Sequence, residues 1–213
     1  MNVNNNALET TYVQDVYEKI AKHFSNTRVY TWDWIREFIE RQPSNSVIYD
    51  IGCGNGRNML QDRENNKKFI GIDNCCEFLK ICRERGLDVV EASMVNIPLK
   101  TETADAIICI AAFHHLSKIE NRIESLREMK RLIKPNGRIL LSVWAKEQPT
   151  KTRRTFAKHG DNIVEWNKFG EKYERYYYIF ERNEIEQLIK VCGLVIKSYS
   201  LECGNMVYEL LKI

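Results

Sequence analysis

The chain has no run of about 18 apolar residues, so no membrane-spanning helix is expected. Its opening stretch, Met1 to Gln14, is neither basic nor apolar, and a secretory leader is not expected either. The seven cysteines (Cys53, Cys75, Cys76, Cys82, Cys109, Cys192 and Cys203) are odd in number and contain no C-x-x-C pair. That spacing speaks against a zinc cluster and points to a reducing, cytoplasmic setting, with which a nuclear pool is also compatible. Most of these thiols fall in apolar segments, where cysteine acts as a small hydrophobe. The net charge of +3 is too small to demand a nucleic-acid partner, although a local cluster of basic residues would still serve one. There is no internal repeat, and the Asn-rich residues 1–9 are expected to fray.

What is present fits one globular domain over residues 1–213, with 44% hydrophobic and 29% charged residues. Val13, Val16, Tyr17 and Ile20 recur at helical spacing over Thr10 to His23, and Trp34, Ile35, Phe38 and Ile39 do so over Thr31 to Arg41. These helices, within residues 10–42, are expected to cap a cleft. The period then changes. Short apolar runs at Val47–Ile51, Phe69–Ile72, Leu87–Val90, Ala106–Ile110 and Arg138–Val143 read as buried parallel strands. Helical patterns over Asn74–Arg85 and Ile119–Ile133 alternate with them, and another follows near Asn183–Cys192. The alternation predicts an α/β, doubly wound Rossmann-like fold. Two last runs, Leu194–Ser200 and Met206–Leu211, flank Gly204-Asn205 and predict a hairpin, hence one antiparallel strand in a seven-stranded, mostly parallel sheet. Residues 145–182 form a long polar and aromatic connection, read as a substrate-side insertion.

Asp50-Ile51-Gly52-Cys53-Gly54-Asn55-Gly56 follows the first strand directly. Ligands of open α/β sheets bind beyond the strand carboxyl ends, and glycines there admit a close backbone approach. The G-x-G-x-G spacing differs from the dinucleotide fingerprint, which disfavours a nicotinamide dehydrogenase. An acid at Asp50 suits the ammonium and sulfonium of S-adenosylmethionine and would repel a pyrophosphate. Asp73 ends the second strand about twenty residues on, the usual place for a ribose-binding carboxylate. Its competing role is to cap the next helix, and the glycine motif favours the ribose. Ser93 and Met94 follow the third strand and either flank the adenine or belong to an ordinary loop. Ala111, at the end of the fourth strand, completes the expected cofactor set.

With these motifs placed, the sequence resembles the eukaryotic tRNA methyltransferases that esterify 5-carboxymethyluridine at the anticodon wobble position. The resemblance rests on Tyr12-Val13 through Tyr17, Glu18, Ile20 and Ala21, then His23-Phe24-Ser25-x-Thr27-Arg28 and the glycine motif. It continues through Ile110-Ala111-Ala112-Phe113-His114-His115-Leu116-Ser117, Asn121-Arg122 and Trp144-Ala145-x-Glu147-Gln148. The glycine motif is common to all such enzymes, whereas H-F-S-x-T-R, A-x-x-H-H and W-A-x-E-Q are selective. The sequence departs from the family at Ser93, where many methyltransferases have Asp, and is short after Trp144. The resemblance implies S-adenosylmethionine as cofactor (S-adenosylhomocysteine as product), a tRNA anticodon loop as substrate, and a small zinc-binding activator protein as partner.

A carboxylate acceptor is ionised at neutral pH and needs no general base, so catalysis reduces to positioning. Arg28 is the expected grip on the acceptor, against the alternative of a solvated charge. His115 is placed to hydrogen-bond the acceptor or to be satisfied by backbone, and His114 reads as structural. Trp144 either stacks on an extruded base or is core. Lys146, Lys151, Arg153, Arg154 and Lys158 form a basic run expected to meet tRNA phosphates. Two rivals remain: a small-molecule O- or N-methyltransferase on the same fold, and a non-catalytic interaction module that keeps only the scaffold. No metal site is expected.

Overall fold

Ile48 to Ile51 are all buried although successive side chains point to opposite faces, which a strand covered on both sides requires. The computed structural model describes residues 5–28, 30–62, 66–150, 155–168 and 170–212. The chain enters through α1 (Asn5–Glu9), a π-helical turn (Thr10–Gln14), α2 (Asp15–Asn26) and α3 (Asp33–Glu40). Then come β1 (Val47–Ile51), β2 (Lys68–Asp73), α4 (Cys76–Glu84), β3 (Val89–Glu91), β4 (Ala104–Ile110), α5 (Ile119–Leu132) and β5 (Ile133–Trp144). A hairpin of β6 (Gly160–Lys168) and β7 (Glu171–Ile179) follows, and α6 (Arg182–Val191), β8 (Val195–Glu202) and β9 (Asn205–Leu211) complete the chain.

The main sheet has seven strands in the order β3-β2-β1-β4-β5-β9-β8. β9 runs antiparallel to both β5 and β8, so a single strand breaks the parallel order, as expected. On one face α3 packs Ile35, Phe38 and Ile39 against Ile48, Ala106, Ile108 and Leu140. On the other, Leu126 and Met129 of α5 and Ile185 and Ile189 of α6 pack against Tyr49, Ile107, Cys109 and Leu141. The period of two in β4, with Ala106, Ile108 and Ile110 one way and Ile107 and Cys109 the other, joins these layers. The strand order switches at β1 and β4, and the carboxyl ends there mark the expected ligand crevice.

Three expectations change. Residues 1–4 lie outside the described residues, and residues 5–9 have regular structure. They are helical, and the Glu9 carboxylate holds them by accepting from the Ser117 backbone N–H (2.7 Å), the Ser117 hydroxyl (2.8 Å) and the Asn121 amide (3.2 Å). Lys134-Pro135-Asn136-Gly137, which the sequence pattern marks as a helix stop followed by a turn, lies within β5. There, pairing to β4 jumps from Ala104↔Ile133 to Ala106↔Arg138, so the extra residues bulge out. Residues 145–182 contain an antiparallel hairpin outside the main sheet. Its inner face meets the N-terminal helices and an aromatic cluster, not a broad apolar core. A polar-aromatic composition therefore hid its alternation.

Leu126 is fully buried between α5 and the sheet. Leu126→Ala should lower stability by about 2–5 kcal/mol in urea denaturation; a loss under about 1 kcal/mol would mean that this layer is looser than described.

Candidate active site

The turn after β1 is built on left-handed backbone at Gly52 (φ +73°), Gly54 (φ +53°) and Gly56 (φ +75°). A Cβ on Gly52 would stand 2.3 Å from the Ala112 Cβ, and one on Gly56 would stand 2.4 Å from Leu87. These two glycines admit close packing. Gly54 instead faces open space, and its N–H donates to Asp73 Oδ2 at 2.8 Å. Asp73 Oδ1 accepts from the Cys75 N–H at 2.9 Å, at the start of α4. The carboxylate thus helps cap the helix and also lines the cavity, so its two expected roles coexist. Asn55 donates to the carbonyls of Arg28 (3.2 Å) and Ser25 (3.4 Å), tying the glycine turn to the H-F-S-x-T-R segment.

Above these strand ends lies a cavity of about 880 Å³. Gly52, Gly54, Asn55, Asp73, Ser93, Met94 and Ala111 line it, and so do Arg28, His115 and Trp144. Ala111 is a strained position, a non-glycine residue at φ +53° whose N–H is held by the Ser142 carbonyl and hydroxyl, each at 3.1 Å. Gly56 and Asp50 are off the wall. Asp50 is wholly buried, and neither carboxylate oxygen has a hydrogen-bond partner among the described residues. Burial, then the charge of Asp73, pushes its pKa up to about 7, opposed by Arg57 and the nearby Asn58. Two carboxylates beneath one turn, one of them orphaned, fit a cationic ligand and oppose an anionic one. The open face of Gly54 and the exposed part of Asp73 leave room for an adenosyl group. The residues therefore fit S-adenosylmethionine.

The other end of the cavity is basic and aromatic. The His115 Nδ1–H donates to the Tyr176 carbonyl at 2.8 Å, so Nε2 carries the lone pair and accepts from the Tyr17 hydroxyl at 3.1 Å. Burial foremost, with Arg175 adding to it, lowers the His115 pKa to about 3, and the ring stays neutral. His114 is fully buried and accepts from the Trp144 N–H at 3.0 Å, in keeping with a structural role. Trp144 stacks on Tyr177, with centroids 4.0 Å apart and planes 8° apart, and packs against Phe156. That contact covers one face of the indole and favours the core reading over base stacking. Arg28 rests on the Phe24 ring (4.7 Å) and bonds to Thr27; burial lowers its pKa.

Sequence reasoning passed over Arg175, Arg57 and Tyr17 as site residues, and all three line the cavity. Arg175 is 4% exposed, and its signal was a lone cation inside the run Tyr173–Tyr178. The selective motifs prove to be fasteners. Arg122 donates to the carbonyls of Leu116 (3.0 Å) and Ser117 (2.9 Å), fixing the loop that carries His115. Gln148 bonds the Ala145 and Gly204 carbonyls, both at 2.7 Å. Within the basic run, Lys151, Arg153 and Arg154 lie outside the described residues.

This sheet order, with an acid-underlaid glycine turn at its switch point, defines an S-adenosylmethionine-dependent class I methyltransferase. A methyltransferase-domain family model matches residues 49–141. A tRNA (carboxymethyluridine(34)-5-O)-methyltransferase of Schizosaccharomyces pombe is 32% identical over 219 residues, covering 92% of this chain and 94% of its own. The mouse tRNA (carboxymethyluridine(34)-5-O)-methyltransferase ALKBH8 is 38% identical over 161 residues, 76% of this chain. This chain spans only 24% of the mouse protein's length. Among solved structures, the complex of the Haloferax volcanii Trm112 methyltransferase activator with a methyltransferase matches with a TM-score of 0.69 at 13% identity, over 93% of this chain and 96% of that one. The chain belongs to the tRNA (carboxymethyluridine(34)-5-O)-methyltransferase family.

The raised Asp50 pKa has a measurable consequence. Unfolded, the carboxyl titrates near about 4, so between roughly pH 4 and pH 7 the folded protein keeps a proton that the unfolded chain has lost. Ligand-free stability should therefore fall as pH rises through that window. Asp50→Asn should flatten the slope and be more stable than the wild type at pH 8, by on the order of 1–4 kcal/mol. Parallel pH–stability curves from urea denaturation would contradict this origin.

Proposed function

We propose that the protein transfers a methyl group from S-adenosylmethionine to the carboxylate of 5-carboxymethyluridine at the tRNA wobble position, forming the methyl ester. One observation carries the acceptor's chemistry: among the described residues, the acceptor end of the cavity has no side chain fit to act as a general base. Burial lowers the His115 pKa to about 3, which leaves it a very weak base, and its lone-pair nitrogen already accepts from Tyr17. Glu9 is occupied by donors from Ser117 and Asn121. An amine or hydroxyl acceptor would need its proton removed, whereas a carboxylate, with a pKa near about 4, arrives ionised.

When bound, S-adenosylmethionine supplies a methyl group on a sulfonium, which takes back the C–S electron pair as the methyl leaves. The chain's residues need to move no proton. Arg28 and Arg175 provide positive charge where the acceptor carboxylate lies, and the aromatic wall of Trp144, Tyr177 and Tyr17 excludes water around it. Positioning of this kind supplies roughly 7–11 kcal/mol of a barrier in favourable cases. The names of the relatives support the tRNA substrate, and the Haloferax volcanii complex is in keeping with a methyltransferase activator as partner.

Labelled S-adenosylmethionine, tRNA carrying 5-carboxymethyluridine, and the protein with and without the activator provide the test. Label should appear in the wobble uridine when both proteins are present, at a rate that is flat between about pH 6 and pH 9, where the acceptor stays ionised. Absence of label despite cofactor binding would refute the acceptor. A rate falling tenfold per pH unit below about pH 7 would show that a base is titrating.

A further inference from the structure

Arg175 is buried in a way that this fold avoids for its other deeply buried guanidinium. Arg122, 3% exposed, meets two carbonyls and has Glu184 at 3.8 Å. Arg175, 4% exposed, pairs with no carboxylate among the described residues, and its Nε has no hydrogen-bond partner there. A buried cation without a counter-ion is costly and persists where something else needs it. The nearby phenolic groups raise its pKa against burial, so it remains charged.

The groups around Arg175 form a chain with one direction. His115 Nδ1 must donate to a carbonyl, so the Tyr17 hydroxyl donates to Nε2. Tyr17, its proton committed, accepts from the Tyr177 hydroxyl at 3.2 Å. Tyr177 in turn accepts from Arg175 Nη1 at 2.6 Å, and Tyr17 does so at 3.5 Å. The Trp166 ring lies 5.0 Å from the guanidinium. The guanidinium is thereby held in one orientation at the cavity wall while no carboxylate among the described residues answers its charge. Arg28 differs: among the described residues its side chain hydrogen-bonds only to adjacent Thr27, and its own carbonyl receives Asn55 from the glycine turn.

We propose that Arg175, oriented by Tyr177, Tyr17 and His115, is the receptor for the acceptor's carboxylate, and that it selects an anionic acceptor over a neutral isostere. Arg28, whose guanidinium lies 5.5 Å from the same Trp166 ring but is not oriented by the tyrosine–histidine chain, is not the primary grip. The assignment rests on the proposed acceptor and adds how that acceptor is recognised.

Two anticodon stem-loop oligonucleotides, one with 5-carboxymethyluridine and one with 5-carbamoylmethyluridine, separate charge from shape. Their binding to the full chain with its activator is measured in saturating S-adenosylhomocysteine. The wild type should prefer the carboxylate by roughly 10–100-fold, the scale of a charge-assisted hydrogen bond. Arg175→Gln should bring that ratio close to one, and Arg175→Lys should keep part of it. Affinity for S-adenosylhomocysteine should stay within about twofold, with the loss falling on kcat/KM for RNA. Tyr177→Phe, which keeps the ring and frees the guanidinium, should reduce the ratio even if Arg175→Gln folds poorly.

A preference that survives in Arg175→Gln overturns the assignment and leaves the proposed function standing. A loss of S-adenosylhomocysteine binding with the RNA preference unchanged also overturns it, because Arg175 would then serve the cofactor. A wild type that does not discriminate overturns the proposed acceptor and the assignment together.

Discussion

The approach of Gly52 to Ala112, where an added Cβ would come within 2.3 Å of another, sets the geometry on which the cavity depends. It lets the ends of β1 and β4 meet at the switch in strand order. From there Ala111 is forced into left-handed backbone and His115 is delivered to the acceptor side. The glycine turn is held from below by Asp73 and from above by Asn55, which reaches the carbonyls around Arg28. Residues far apart in sequence are thus fixed to one turn by hydrogen bonds between the side chains of Asp73 and Asn55 and the backbone.

Charge is sorted along the same cavity. Asp50 and Asp73 lie beneath the cofactor turn, while Arg28 and Arg175 line the wall beside Trp166. Each end carries a buried group whose charge the protein itself does not fully answer: Asp50 at one, Arg175 at the other. A cationic methyl donor relieves the first and an anionic acceptor the second, so both ligands gain from being bound at once. In the proposed reaction the product ester is neutral and no longer answers Arg175, which favours its departure. In each case folding stability is given up for binding energy.

The layered fold was legible because both of its signals are local. Short, nearly continuous apolar runs separated by helical periods specify a parallel sheet, and Gly204-Asn205 specifies the closing hairpin. The cofactor turn was legible for a similar reason, since glycine is needed where a Cβ cannot fit. The acceptor end was not. Arg175 belongs to a hairpin that packs on cavity-lining aromatics, so its strand lacks the apolar alternation of the core. Trp144 reads in the sequence as equally suited to a base or to the core, and its partner Tyr177, 33 residues on, is visible only in three dimensions. Arg28 is marked in the sequence by its place after the N-terminal helix that caps the cleft, whereas the burial of Arg175 and its lack of a carboxylate partner among the described residues are visible only in three dimensions.

The central claim is that one cavity holds a cation over the β1 turn and an anion against Arg175. A crystal structure of the protein with S-adenosylhomocysteine and an anticodon stem-loop bearing 5-carboxymethyluridine tests it directly. The account predicts ribose hydroxyls at Asp73 and a carboxylate oxygen within hydrogen-bond distance of the Arg175 guanidinium, pointed at the cofactor sulfur. A carboxylate turned to solvent, or Arg175 occupied by the cofactor's own carboxylate, would contradict it.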